Sequence, residues 1–136
     1  MSTAIANAVN QQVRLAQRPV GTPGRECWNF TTEPVAGPAE GGVLIQTLAL
    51  SLDPAMRGWM NEGKSYIPPV GIGEVMRAGG IGRVAASRNP KFAVGDVVSA
   101  GLGVQSWCLV PEAELRRSGV AKIDLSLGSM TQWLNV

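Results

Sequence analysis

The clearest pattern in the chain spans residues 42–50, where Val43, Ile45, Thr47 and Ala49 alternate with Leu44, Gln46, Leu48 and Leu50. Period-two alternation rich in β-branched residues predicts a strand, and apolar residues on both faces predict that it runs through the interior. Shorter patterns flank it. Residues 11–16 partly alternate, with Val13 and Leu15 on one side, until Arg18-Pro19 ends the run. Trp28, Phe30 and Thr32 share a face of a second strand, closed by Glu33-Pro34. Residues 74–77 and 81–86 read as two strands around a Gly79-Gly80 turn, and 97–100, 105–110 and 120–123 as three more. Turns are expected at residues 38–42 and at Asn89-Pro90, and Tyr66-Ile67-Pro68-Pro69 must be extended because each proline restricts itself and its predecessor.

Helical signals are few. Asp53 is placed to cap a short helix with Pro54 at its first position, followed by residues 55–60. Residues 112–117 suit a helical turn. From Ser126 onward, Leu127, Met130 and Leu134 take helical spacing. Eight or so short strands punctuated by 17 Gly and 9 Pro predict a mainly β small barrel or sandwich.

Composition narrows the function classes. A chain of 136 residues, 45% hydrophobic and 16% charged, suits one domain with its own core. Twelve basic against 10 acidic residues leave a formal charge of +2, which makes no electrostatic case for nucleic acid or a membrane surface. The longest apolar stretch, residues 43–52, is far short of the roughly 20 residues of a spanning helix. No basic segment followed by an apolar run opens the chain, so a cytoplasmic protein is expected. There is no histidine, and Cys27 and Cys108 lie far apart, so neither zinc-ligand spacing nor a Cys–His pair is present. Both cysteines are expected to be ordinary buried thiols; the sequence leaves a disulfide between them open, though a cytosolic setting argues against it.

The chemistry-bearing patterns are sparse. No Gly-x-Gly-x-x-Gly opens a helix, and no phosphate loop or nucleophile elbow occurs; Gly101-Leu102-Gly103 reads as a turn. Acid–base work would fall to carboxylates, Tyr66 or lysine. Glu74, in an apolar glycine-flanked stretch, is open to two readings: a site carboxylate, or an edge charge facing water. Met56 and Met60, four apart, fit either a core or a ligand face. Arg57 fits either an anchor at a helix end or a phosphate contact. Trp59 and Trp107 read as packing residues.

The run Leu50-Ser51-Leu52-Asp53-Pro54-Ala55-Met56-Arg57-Gly58-Trp59-Met60 resembles the Leu-Ser-x-Asp-Pro-Tyr-Met-Arg signature of zinc-independent medium-chain dehydrogenases/reductases. That branch includes leukotriene 12-hydroxydehydrogenase/prostaglandin reductases, plant double-bond reductases and bacterial curcumin-reductase-like enzymes. The resemblance continues through Tyr66-Ile67-Pro68-Pro69-Val70, Gly73-Glu74-Val75-Met76-Arg77, Gly79-Gly80-Ile81-Gly82-Arg83-Val84 and Phe92-Ala93-Val94-Gly95-Asp96-Val97-Val98, in order. It implies a GroES-like, partly open β-barrel over residues 1–124, with residues 125–136 starting a connecting helix toward a Rossmann domain absent from this chain. It also implies metal-free reduction, by NADP(H), of the C=C bond of α,β-unsaturated aldehydes, ketones or quinones. The cofactor would be bound mainly by the missing domain, the isolated chain would be inactive, and the whole enzyme would be a homodimer.

Carried over by position, the resemblance puts Asp53, Pro54, Ala55, Met56, Arg57, Tyr66, Glu74 and Met76 along the substrate and cofactor cleft, and names no catalytic residue or metal ligand. Two departures weaken the transfer of substrate class: Ala55 replaces the usual tyrosine, and Gln105-Ser106-Trp107 stands where a Gln-Glu-Tyr run is common. The competing expectation is a free-standing GroES-like binding or assembly module without catalytic activity.

Overall fold

The computed structural model describes residues 8–52, 55–61, 68–115, 117, 119–124, 126, 128 and 129. Seven strands are formed: β1 (Val9–Leu15), β2 (Trp28–Pro34), β3 (Val43–Leu50), β4 (Gly79–Ser87), β5 (Val97–Gly101), β6 (Trp107–Val110) and β7 (Ala121–Lys122). Among the described residues between β3 and β4 lies a short helix, α1 (Ala55–Trp59), and 3-10 turns cover Arg25–Cys27 and Glu112–Glu114. The expected mainly β, partly open barrel is what the chain builds.

A five-stranded antiparallel sheet in the order β6-β3-β4-β5-β7 carries the main core, and β1 and β2 form a separate antiparallel pair. The interior position read from β3 is observed: it is flanked by β4 and β6, and Val43, Leu44 and Ile45 are buried on both faces. Val43, Ile45, Val84, Val98, Leu102 and Val110 close one cluster, with Phe92, Leu115 and Val120 packed at its margin. Burying each such side chain contributes roughly 1.5–3 kcal/mol.

The β1–β2 pair joins the larger sheet through single hydrogen bonds and a polar seam. The Asn10 Nδ2 donates to Gln105 Oε1 (2.9 Å), Trp107 N donates to Asn10 Oδ1 (2.9 Å), and Gln105 Nε2 donates to Leu102 O (2.7 Å). Asn10 and Gln12 are buried; the bonds to Gln105 and Trp107 satisfy the first amide, and Gln12 Nε2 donates to Glu33 Oε1 (2.9 Å), groups that would otherwise be costly to desolvate.

One expectation is overturned. Gly79-Gly80 is no turn, and residues 74–77 form no ladder strand. Gly79 and Gly80 are the first two rungs of β4, opposite Gly101 and Ala100. Glycine is needed at position 80 because a Cβ there would run into Ala49 O, a close backbone approach that can replace a turn as the reason for glycine. Residues 74–76 are instead an extended wedge. Leu15 N donates to Glu74 O (3.0 Å), Met76 N to Val13 O (2.9 Å) and Val104 N to Met76 O (2.8 Å).

Smaller differences have similar causes. The strand expected over 105–110 starts at Trp107, because Ser106 N is drawn to Gln11 O (3.0 Å). Around Ser126, Asp124 supplies the local cap: its Oδ1 accepts both the N–H (2.9 Å) and the hydroxyl (2.6 Å) of Ser126. The helical residues expected at Leu127, Met130 and Leu134 lie outside the described residues.

Candidate functional site: an apolar groove beside the short helix

The short helix α1 sits against the second buried cluster, made of Leu15, Cys27, Met60, Val70 and Met76, with Trp28, Met56, Trp59 and Val104 packed on it. This cluster opens to the surface as a groove of about 530 Å³, lined by Gly21, Thr22, Pro23, Trp28, Met56, Arg57, Met60 and Met76. Three thioethers and an indole make its floor and one wall. Methionine is flexible and polarisable, so such a surface suits flat or irregular apolar ligands.

Three of the sequence-predicted site residues, Met56, Arg57 and Met76, converge on this groove. Ala55 opens α1. Asp53, Pro54 and Tyr66 lie outside the described residues. Glu74 is exposed and stands apart from the groove lining; its Oε1 accepts the Gly71 N–H (3.0 Å), closing the turn before the extended wedge. Met76 is buried at 1% exposure, at the base of the groove.

Arg57 faces the chain itself. Its Nε donates to Gly21 O (3.0 Å), its Nη2 to Pro19 O (3.3 Å) and its Nη1 to Asn61 Oδ1 (2.6 Å). Arg18 reciprocates from the loop, with Nη1 donating to Met60 O (2.8 Å). Arg77 donates through Nη2 to Pro68 O (2.6 Å) and stacks over the Trp59 ring at 5.3 Å. These guanidinium groups fasten loops around the groove.

The residues that sequence reasoning left unassigned are Gly21, Thr22, Pro23 and Trp28. The signal was the Gly21-Thr22-Pro23-Gly24 run, which marks a loop without saying what it covers. Gln105, Ser106 and Trp107, the second departure noted above, belong to the polar seam. Gln105 and Ser106 also border a separate groove of about 440 Å³ with Gln11, Gln12, Phe30 and Leu50.

The two cysteines are free and sit in different clusters. Burial pushes the Cys108 thiol up to about 11, so it is a neutral packing group at ordinary pH. Among the described residues, no group of three or more Cys, Asp or Glu is placed to hold a metal ion. No helix among them is long and apolar enough to cross a membrane.

Comparison with known proteins agrees with this architecture. Residues 11–118 match the family model for the N-terminal domain of oxidoreductases. The NADPH-dependent curcumin reductase of Escherichia coli is 46% identical over 98 residues, covering 72% of this chain and 28% of that protein. YfmJ of Bacillus subtilis, assigned as an NADP-dependent oxidoreductase, is 39% identical over 129 residues, covering 95% of this chain and 36% of that protein. The crystal structure of CurA from Vibrio vulnificus superposes with a TM-score of 0.71 at 45% identity, over 74% of this chain and 30% of that one. The same protein is known in complex with NADPH, with a TM-score of 0.70. This chain therefore spans about a third of the length of the relatives it matches. On that match, it belongs to the family of N-terminal domains of oxidoreductases, and is related to curcumin reductase.

Proposed function

We propose that this chain supplies the substrate-side wall of an NADPH-dependent oxidoreductase that reduces the C=C bond of α,β-unsaturated aldehydes, ketones or quinones without zinc. The observation that carries the reading is the meeting of Met56, Arg57 and Met76 at one apolar groove, in a chain 46% identical to a curcumin reductase over 98 residues. The groove would hold the apolar part of the substrate and exclude water from it, while Asp53, Pro54, Ala55 and Tyr66 would border the same cleft. Glu74 would act there indirectly, by shaping the turn that leads to Met76.

The described residues fit the apolar end of the cofactor and substrate better than the phosphates. Each nitrogen of Arg57 already donates to the chain's own acceptors, and among the described residues no glycine-rich loop opens a helix of useful length. The phosphates of NADPH would be held by a further, nucleotide-binding domain, where helix N-termini supply such donors. When bound, NADPH supplies the hydride. Residues 1–124 would form the barrel and 125–136 the start of the connection, in a cytoplasmic homodimer.

The test is NADPH consumption by the full-length protein across a panel of enals, enones and quinones, paired with calorimetry of NADPH on the 136-residue chain. Turnover by the former and weak or no binding by the latter are expected. No turnover across the panel would refute the reading, and tight NADPH binding by the isolated chain would refute the division of labour. Binding of apolar ligands without turnover by any form would favour the free-standing module.

A further inference from the structure

The groove has two walls of different construction. Met56 and Met60 project from α1 and its end, packed into a buried cluster. Facing them, Gly21, Thr22 and Pro23 belong to a loop that bulges away from the barrel, with Val20 fully exposed at 99% and Gly21 at a φ of 74°. Residues 17–23 make no backbone–backbone hydrogen bond among the described residues; the neighbouring bonds begin at Ala16 and resume at Gly24. What ties this loop to the helix is side-chain chemistry. Arg57 reaches outward to the carbonyls of Pro19 and Gly21, and Arg18 reaches back to the carbonyl of Met60.

We propose that Arg57, assisted by Arg18, is a positioning residue that holds the loop wall of the methionine groove at contact distance from a bulky substrate, and so sets the groove's preference for large over small substrates. It does so by clipping the loop wall to the helix wall. The proposal rests on reading the groove as the substrate wall. The guanidinium is suited to the task because its planar fork can span two carbonyls and the Asn61 amide oxygen at once. An ammonium is a point donor and cannot span all three. At position 18 the requirement is weaker, because one donor to one carbonyl is made there and a lysine can supply it.

The experiment uses the full-length protein with Arg57→Lys, Arg57→Met, Arg18→Lys and Arg18→Met. Steady-state kinetics are measured with a bulky aryl enone, a small alkyl enone and NADPH, alongside backbone nitrogen-15 relaxation of Val20, Gly21 and Thr22, which reports loop mobility directly. Losing the clip should raise KM for the aryl enone about tenfold, the size expected for one good hydrogen bond. KM for the small enone should change less, and kcat and KM for NADPH should stay within about twofold of the wild type. Both Arg57 variants and Arg18→Met should show this together with greater backbone mobility at Val20, Gly21 and Thr22, whereas Arg18→Lys should behave as the wild type. Should Arg57→Met fail to fold, Asn61→Ala removes one of the three acceptors gently and should give a smaller shift of the same kind.

A rise in KM for NADPH would show Arg57 to be a phosphate ligand and overturn the proposal. So would an unchanged aryl-enone KM, or a fall in kcat alone. An inactive wild type would instead remove the functional reading, and this proposal with it. An active wild type with indifferent variants removes this proposal alone.

Discussion

The cluster beneath the five-stranded sheet is packed from Val43, Ile45, Val84, Val98 and Val110, while the cluster behind the groove is packed from Leu15, Met60, Met76 and Cys27 under Trp28 and Met56. The first is assembled by paired strands, with two register shifts between β3 and β4, on stiff β-branched side chains that bury its centre completely. The second is assembled by a helix of five residues, an extended wedge and a loop held by arginines, and it opens into a groove. Rigid packing is placed where the barrel needs it, and adaptable packing where a ligand would lie. The difference teaches that the site is built from the least regular part of the chain, supported by the most regular.

The comparison breaks most visibly if the two clusters respond alike to substitution. Ile45→Ala should lower the unfolding free energy in urea by about 2–5 kcal/mol, because the interior strand cannot collapse around the void. Met76→Ala, the corresponding truncation in the softer cluster, should cost less, about 2 kcal/mol, because flexible thioethers beside an open groove can close over the void. Equal losses would mean that the groove cluster is packed as tightly as the sheet.

A second contrast is chemical. Cys108 is buried in the sheet cluster, and its thiol is held up at about 11 against an ordinary 9.0. The unfolded chain therefore gives up this proton first, and the native state holds more protons between these values. Stability is full below about pH 9 and falls as pH rises through the folded value, by an amount on the order of 2–3 kcal/mol. Unfolding midpoints measured across pH 8 to about 11 should show that decline, and Cys108→Val should flatten it.

The smallest expected effect sits at the rim of the sheet. Asp96 Oδ2 accepts the Ala93 N–H (2.8 Å) and pairs with Lys122 at 3.3 Å, which together hold its carboxyl below the usual 3.8. A depressed carboxylate adds stability above its unfolded value that is lost as pH falls through the folded one. Asp96→Asn should therefore soften the acid limb of the stability curve slightly and leave the groove's ligand binding unchanged. A marked change in binding would mean that the two regions are mechanically coupled.

Legibility in the sequence followed the same division. β3 was readable because apolar residues on both faces are what an interior strand requires, and Val43, Leu44 and Ile45 are buried as that pattern demands. Glycine was ambiguous: at Gly80 it marks a close approach to the Ala49 carbonyl, a need that a single sequence presents in the same form as a turn. The wedge at residues 74–76 alternates like a strand, yet with β1 it makes only one isolated bridge, Arg14 to Val75, and its remaining bond goes to Val104, so no ladder forms. Met56 and Met76 could be singled out from the signature turn and the glycine-flanked run. Trp28 and the loop at residues 21–23 could not, because their place in the groove depends on two arginine contacts across 36 and 42 positions of chain.

The most direct test of a methionine-lined substrate wall is methyl NMR of the full-length protein with labelled methionines, five in this chain, titrated with an aryl enone. The account predicts saturable shifts concentrated on the Met56, Met60 and Met76 methyls, lost in Met56→Ala at the same enone concentration. Saturable binding of a turned-over enone that leaves those three methyls unmoved would contradict it.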